Sequence, residues 1–128
     1  MEKYKLIDAV ETFQDKKILT VGDVAIDRYV YGTVDRINPE NPGAPLIRKN
    51  REEYRLGGAG NVAMNISSLG AKALLGGLIG EDKNGLILGN LCNKNNINSF
   101  FSLRKGENIV KERFIESDHN HYVTSSSP

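Results

Sequence analysis

Residues 57–70 read Gly57-Gly58-Ala59-Gly60-Asn61-Val62-Ala63-Met64-Asn65-Ile66-Ser67-Ser68-Leu69-Gly70. Three of the first four positions are glycine, which permits positive φ and lets a ligand approach the backbone closely. The rest predicts a helix, because apolar residues recur every three or four positions. The expected buried face consists of Ala59, Val62, Ala63, Ile66 and Leu69. Gly70 is expected to end the helix at its C′ position.

A helix that begins in this glycine turn points its free N–H groups and the positive end of its dipole into the turn. Asn61 lies beside them with a side chain that both donates and accepts hydrogen bonds. The turn is therefore predicted to bind a hydroxyl-rich or anionic ligand. The alternative is that the glycines only permit tight packing at the helix entry.

The composition limits the class of protein. A chain of 128 residues with a net charge of +1 fits one domain and gives no indication of a nucleic-acid partner. Cys92 is the single cysteine and lies in an apolar run, so it is predicted to be a core residue in a protein of the reducing cytoplasm. No apolar run approaches the roughly 20 residues of a membrane helix. Residues 1–5 are charged and mixed, with no apolar signal core behind them, so no signal peptide is expected.

The remaining elements predict an α/β fold with a mostly parallel sheet, because strands alternate with helices. Ile18 to Gly22 reads as a buried, central, parallel strand. Asp82 is expected to cap a helix over roughly 83–95. The other expected elements are helix 3–14, strands 71–80 and 97–103, and alternating segments 109–115 and 119–123. Residues 125–128 are expected to be a frayed or cut end.

Asp23 and Asp27 follow the first predicted strand, and ligands of open α/β sheets bind at the carboxyl ends of strands. Either carboxylate can accept hydrogen bonds from sugar hydroxyls. The alternatives are a pair of solvated turn residues, or an ion pair between Asp27 and Arg28. Residues 29–56 alternate aromatic, β-branched and charged residues around a Pro-rich loop. They predict a small β-sheet that serves as a lid, a dimer contact or an ordinary excursion.

Two other site hypotheses arise from short motifs. Residues 58–63 fit the dinucleotide pattern G-x-G-x-x-A, with Glu81 and Asp82 near the position of a ribose-binding acid. This pattern must follow a buried strand, and residues 51–56 are too highly charged to form one. His119 and His121 lie two residues apart, but no other nearby residue completes a metal site, so an exposed turn is predicted.

The motifs together resemble the ribokinase-like (PfkB) sugar kinases. Residues 57–63 with Ser67, Leu69 and Gly70 are similar to the N-terminal signature of that family. Residues 21–29 resemble its first strand and sugar-contacting aspartate, and residues 80–85 resemble its G-x-D-x-x-G turn. Residues 36–45 resemble the lid of D-glycero-β-D-manno-heptose-7-phosphate kinases, which usually reads R-I-S-P-E-A-P-x-P. Asn38, Asn41 and the pair Gly43-Ala44 depart from that pattern.

The resemblance implies a ribokinase-like three-layer sandwich with a small β lid over about 29–56. It implies that Asp27, Gly57, Gly58 and Asn61 hold the sugar hydroxyls, with Asp23 as a further candidate. Arg28, Lys111 and Arg113 are the candidates to face a sugar phosphate. It also implies a homodimer through the lid and transfer of the γ-phosphoryl group of ATP, with Mg²⁺, to C1 of a heptose phosphate for lipopolysaccharide precursor synthesis.

The C-terminal G-A-G-D motif of that family, which supplies the catalytic base and anion hole, does not occur in these 128 residues. The chain is therefore expected to be the sugar-binding N-terminal part of a kinase domain, without the ATP-binding half and without activity of its own. Two alternatives stay open: a nicotinamide- or flavin-binding module, and a non-catalytic sugar-binding or dimerisation module.

Overall fold

A computed structural model describes residues 2–37, 40, 43, 45–116 and 122–127. Its helices are α1 (Lys3–Glu11), α2 (Ala59–Ser68) and α3 (Lys83–Lys94), with a 3₁₀ turn over Thr12–Asp15. Its strands are β1 (Lys17–Val21), β2 (Val24–Ile37), β3 (Pro45–Gly58), β4 (Lys72–Gly80), β5 (Ile97–Arg104), β6 (Ile109–Glu116) and β7 (Tyr122–Ser127). This order confirms the predicted α/β class with a mainly parallel first sheet.

The chain divides into two compact units. The first comprises Met1–Ile26 and Arg55–Ile109, and the second comprises Asp27–Tyr54 and Val110–Pro128. A parallel sheet in the order β1-β4-β5 forms the centre of the first unit. A four-stranded sheet in the order β3-β2-β6-β7 supplies the second, with β7 antiparallel to β6.

The core of the first unit lies between its sheet and helices α2 and α3. The helices pack on β1, β4 and β5, and alternate residues of β4 are buried beneath them, as the period of two in a strand requires. Leu75 is fully buried and Ile79 nearly so. Leu88 and Cys92 of α3 are fully buried, which agrees with the prediction that Cys92 is a core residue. Burial raises the pKa of its thiol.

The prediction that the first strand is buried and central is wrong. The first strand is parallel as expected, but among the described residues it lies at the edge of the sheet, and Val21 is 72% exposed. The helix expected over 3–14 forms as α1 and the 3₁₀ turn that follows it, and none of its residues is buried. Of the expected α2 face, Ala63 is buried, whereas Val62 and Leu69 are exposed. Periodicity identifies the apolar face of an element but does not say what covers it.

The segment expected to form a lid consists of longer strands than the sequence predicts. β2 begins at Val24 and runs without interruption to Ile37, so Asp27 lies within a strand rather than in a turn. β3 is continuous through the charged residues 48–55 and ends at Gly58. The expected frayed end at 125–127 pairs with β6 instead, because ladder pairing uses backbone groups that serine also has. His119, His121 and most of the loop 38–44 lie outside the described residues.

Candidate functional site

The glycine turn is built around one backbone contact. The Ala59 N–H donates to the Asp23 carbonyl at 2.8 Å, which ties the start of α2 to the segment after β1. Gly58 takes φ 59° and ψ −133°, a conformation that only glycine adopts readily. A Cβ at Gly58 would collide with the same Asp23 carbonyl oxygen. This position therefore requires glycine for two independent reasons.

The neighbouring glycines have other causes. A Cβ at Gly60 would lie 3.1 Å from Leu56 Cβ, so Gly60 permits tight packing. A Cβ at Gly77 would lie 2.7 Å from the Gly22 carbonyl oxygen, so β4 needs glycine where the chain leaves β1. The packing alternative is thus correct for Gly60, and no sequence pattern indicates the role of Gly77.

Three of the four predicted ligand residues at this turn, Asp23, Gly58 and Asn61, are exposed. α2 begins with Gly58 at its N-cap, so no side chain caps its first turn. Asn61 is exposed in that turn, and Gly57 is buried. Asp23 contributes its carbonyl to the turn, and its residue is exposed. Gly57, Gly58, Asn61 and Asp23 all belong to the first unit, and the arrangement offers backbone and amide groups to a polar ligand.

A second polar cluster lies at the G-x-D-x-x-G motif. Asp82 caps α3 by accepting from the Asn84 N–H at 3.0 Å, as predicted. It also accepts from the backbone and the side chain of Asn108, at 3.0 and 2.5 Å. Burial opposes ionisation of Asp82, but these hydrogen bonds and that from Gly85 outweigh it and hold its pKa below the usual value. The Asp82 carboxylate therefore stabilises the start of α3 and its contact with Asn108.

Asn108 is a buried polar residue of this cluster that sequence reasoning missed. Its side chain is buried, accepts from the Gly80 N–H at 2.8 Å and donates to the Gly80 carbonyl at 3.1 Å. It therefore closes the end of β4 onto the segment before β6. A Gly-Glu-Asn sequence reads only as a turn, because no periodicity marks a buried amide.

The candidate residues of the second unit occupy the two faces of its sheet. Asp27 and Tyr29 project to one face of β2, and Arg28, which lies between them in the chain, projects to the opposite face. Arg113 of β6 donates from Nη1 to the Tyr29 hydroxyl at 2.8 Å, and the same Nη1 lies 3.8 Å from Asp27 Oδ2. Lys111, two residues earlier on β6, is exposed. This face therefore brings one predicted sugar ligand, Asp27, beside one predicted phosphate ligand, Arg113. Lys111 lies two residues away on the same face of β6.

The opposite face holds Arg28 between two carboxylates. Its Nε and Nη2 donate to Glu52 Oε2 of β3 at 3.0 and 2.6 Å, and its Nη1 donates to Glu112 Oε1 of β6 at 2.7 Å. Lys49 Nζ also lies 2.7 Å from Glu52 Oε2. Hydrogen bonds from Lys49 and then Arg28 lower the pKa of Glu52 to about 2. The sequence alternative of an Asp27–Arg28 pair is replaced by Asp27–Arg113 and Arg28–Glu52.

The described residues hold no group of three or more His, Cys, Asp or Glu side chains arranged to bind a metal ion. Within the same part of the chain, no helix combines the length and the apolar character needed to cross a bilayer.

A known protein family and several characterised proteins match the sequence of this chain. A family model described as pfkB family carbohydrate kinase matches residues 15–125. The chain is 54% identical over 76 residues to the bifunctional protein HldE of Caulobacter vibrioides, covering 59% of this chain and 16% of that protein. It is 44% identical over 104 residues to the HldE protein of Haemophilus influenzae, covering 80% of this chain and 22% of that protein.

A solved structure shares the fold at low identity. Phosphofructokinase-2 from Escherichia coli, crystallised with fructose-6-phosphate, matches with a TM-score of 0.67 and 21% identity, covering 88% of this chain and 35% of that one. The chain thus spans about a fifth of the length of the HldE relatives and about a third of this structural neighbour.

Proposed function

Because the chain belongs to the pfkB family of carbohydrate kinases, we propose that it supplies the acceptor-sugar site of a kinase that phosphorylates C1 of D-glycero-β-D-manno-heptose 7-phosphate. Two findings support this substrate: the resemblance of residues 36–45 to the lid of heptose-phosphate kinases, and the relatives named HldE. The product would feed ADP-heptose and lipopolysaccharide precursor synthesis in the cytoplasm. Membership of a kinase family favours this function over a dinucleotide-binding module.

The observation that carries the proposal is the face of β2 and β6 that combines Asp27 with Arg113. The Asp27 carboxylate accepts hydrogen bonds from sugar hydroxyls, and a guanidinium recognises a phosphate through paired N–H donors. Tyr29 fixes Arg113 through the 2.8 Å hydrogen bond. We propose Asp27 as a hydroxyl ligand, and Arg113 with Lys111 as phosphate ligands.

For the glycine turn of the first unit, the family resemblance supports a separate proposal that it binds sugar hydroxyls. Gly57 and Gly58 offer backbone close to the ligand, and Asn61 offers an amide at the positive end of the α2 dipole. Asp23 is proposed to act mainly through its carbonyl, which holds the turn. ATP and Mg²⁺ would supply the transferred phosphoryl group and the charge neutralisation that this chemistry needs. We propose that this chain's part is to bind and orient the acceptor.

Calorimetric titration of the 128-residue chain with the heptose phosphate tests the proposal. Asp27→Asn should weaken binding by about 10- to 100-fold, the value of one charge-assisted hydrogen bond. Asp8→Asn, at an exposed position of α1, is the matched control and should bind as the wild type does. A thermal shift with NAD, and none with the sugar phosphate, would support the dinucleotide alternative instead.

Arg113→Gln separates phosphate recognition from sugar recognition. We expect it to weaken binding of the heptose phosphate by about 10-fold or more, while binding of the unphosphorylated heptose changes little. Lys105→Gln, at an exposed position before β6, controls for the loss of one positive charge. Equal losses for both sugars would contradict the assignment of Arg113 to the phosphate.

We also propose that the chain alone does not transfer phosphate, because the G-A-G-D motif that the family uses for its base and anion hole does not occur in it. ADP release from the pure chain that depends on both ATP and sugar would refute this.

The lid strands β2 and β3 are further proposed to form a homodimer contact, as the family resemblance implies. The alternative is a non-catalytic sugar-binding module. It would be supported if the chain binds the sugar but forms no part of a kinase.

A further inference from the structure

The guanidinium of Arg28 bridges three strands of the second unit. It lies on β2, and it binds Glu52 on β3 and Glu112 on β6 through three different nitrogens. The side chains of Arg28, Glu52 and Glu112 are all less than one-third exposed. The planar fork of arginine suits such a two-sided arrangement, which a lysine ammonium cannot reproduce.

The position of this bridge matters because of what lies on the other face. Asp27 and Tyr29 flank Arg28 in the chain, and Arg113 follows Glu112. Arg28 and Glu112 are therefore each the immediate chain neighbour of a residue in the Asp27–Tyr29–Arg113 cluster. A slip of one residue between β2 and β6 would exchange the two faces. The bridge opposes such a slip, because it would separate Arg28 from Glu112.

We propose that Arg28 is a positioning residue, which holds β2 and β6 in the register that places Asp27 and Tyr29 beside Arg113, and that it does not bind the sugar phosphate itself. The inference rests on the proposed function for the ligand bound by that cluster. Two carboxylates already neutralise the guanidinium and occupy its nitrogens, so an incoming phosphate would have to displace them.

The two roles predict opposite effects of removing the carboxylates. If Arg28 were a phosphate ligand, Glu112→Gln would release its guanidinium, and affinity for the heptose phosphate would stay the same or rise. If Arg28 positions the strands, Glu112→Gln should weaken binding as Arg28→Gln does, by roughly tenfold. The loss should be similar for phosphorylated and unphosphorylated heptose, because both need Asp27. The double variant should be little weaker than either single variant.

Lys49→Gln is the matched control. Lys49 contacts the same Glu52 oxygen as Arg28 does, but it lies on the same strand, three residues away. The substitution removes a positive charge from the network without removing a contact between strands, and it should leave affinity unchanged. Glu112→Gln is nearly isosteric, so it tests the proposal even if Arg28→Gln fails to fold.

Amide hydrogen exchange of the unliganded chain separates this inference from the proposed function. Arg28→Gln and Glu112→Gln should speed exchange at Tyr29 and Arg113, and Lys49→Gln should not. If the wild type binds no sugar phosphate, the proposed function fails, and the exchange result still decides whether the bridge holds the register. Unchanged exchange and affinity in Glu112→Gln, or a loss confined to the phosphorylated sugar, would overturn the positioning role.

Discussion

At the scale of single residues, Asn108 shows how a buried amide can hold two segments together. Its side chain pairs with both backbone groups of Gly80 and with Asp82. Asn108→Ala would leave the buried Gly80 N–H without its acceptor, and we expect a loss of about 1–3 kcal/mol in the free energy of unfolding. Urea unfolding followed by circular dichroism measures this. Asn93→Ala, exposed on α3, is the control, and an equal loss in both variants would contradict the assignment.

Glu52 gives the chain a specific response to acid. Its pKa falls from 4.5 to about 2 in the folded state, so the folded chain binds fewer protons there than the unfolded chain does. Its contribution to stability is complete above pH 4.5 and is lost as the pH falls towards about 2. Glu52→Gln should therefore flatten the decline of the unfolding midpoint across that window. Glu11→Gln, on exposed α1, should retain the wild-type slope.

At the scale of elements, the sequence correctly predicts the helix ends, which depend on residues close together in the chain. The start of α2 in the glycine turn, Gly70 at φ 99° after its end, and Asp82 as the N-cap of α3 all agree with expectation. The sequence could not predict that β2 begins at Val24 or that Arg28 pairs with Glu112, because both depend on strand pairing across distant residues. The Arg28–Glu112 pair joins positions 84 residues apart.

The glycine turn allows two kinds of glycine requirement to be separated. Gly58 and Gly70 both have positive φ, but only a Cβ at Gly58 meets an obstacle, the Asp23 carbonyl oxygen. Gly58→Ala should therefore destabilise the chain more than Gly70→Ala does, and it alone should also abolish binding of the heptose phosphate. Differential scanning calorimetry and calorimetric titration measure the two effects. Equal destabilisation would mean that the turn relaxes to accommodate the methyl group.

At the scale of the whole molecule, the first unit leaves one sheet face bare among the described residues. α2 and α3 cover the face that carries Leu75 and Ile79, whereas the other face carries Leu19, Val21, Leu78 and Phe100, which are 58 to 72% exposed. The register explains why they form one patch: Val21, Gly76 and Phe100 are direct neighbours across the three strands. Alternation along each strand predicted the apolar residues but could not reveal what covers them.

Such a contiguous apolar face favours association, so we expect the isolated chain to form concentration-dependent oligomers in sedimentation velocity. The double variant Val21→Thr/Phe100→Thr should reduce them, because threonine keeps the β propensity of the strands while removing apolar surface. Leu86→Gln, which removes a 75% exposed apolar side chain from α3 outside this patch, should not. A dimer that persists in the double variant would be assigned to the lid strands. Undiminished higher oligomers would show instead that the bare face does not drive association.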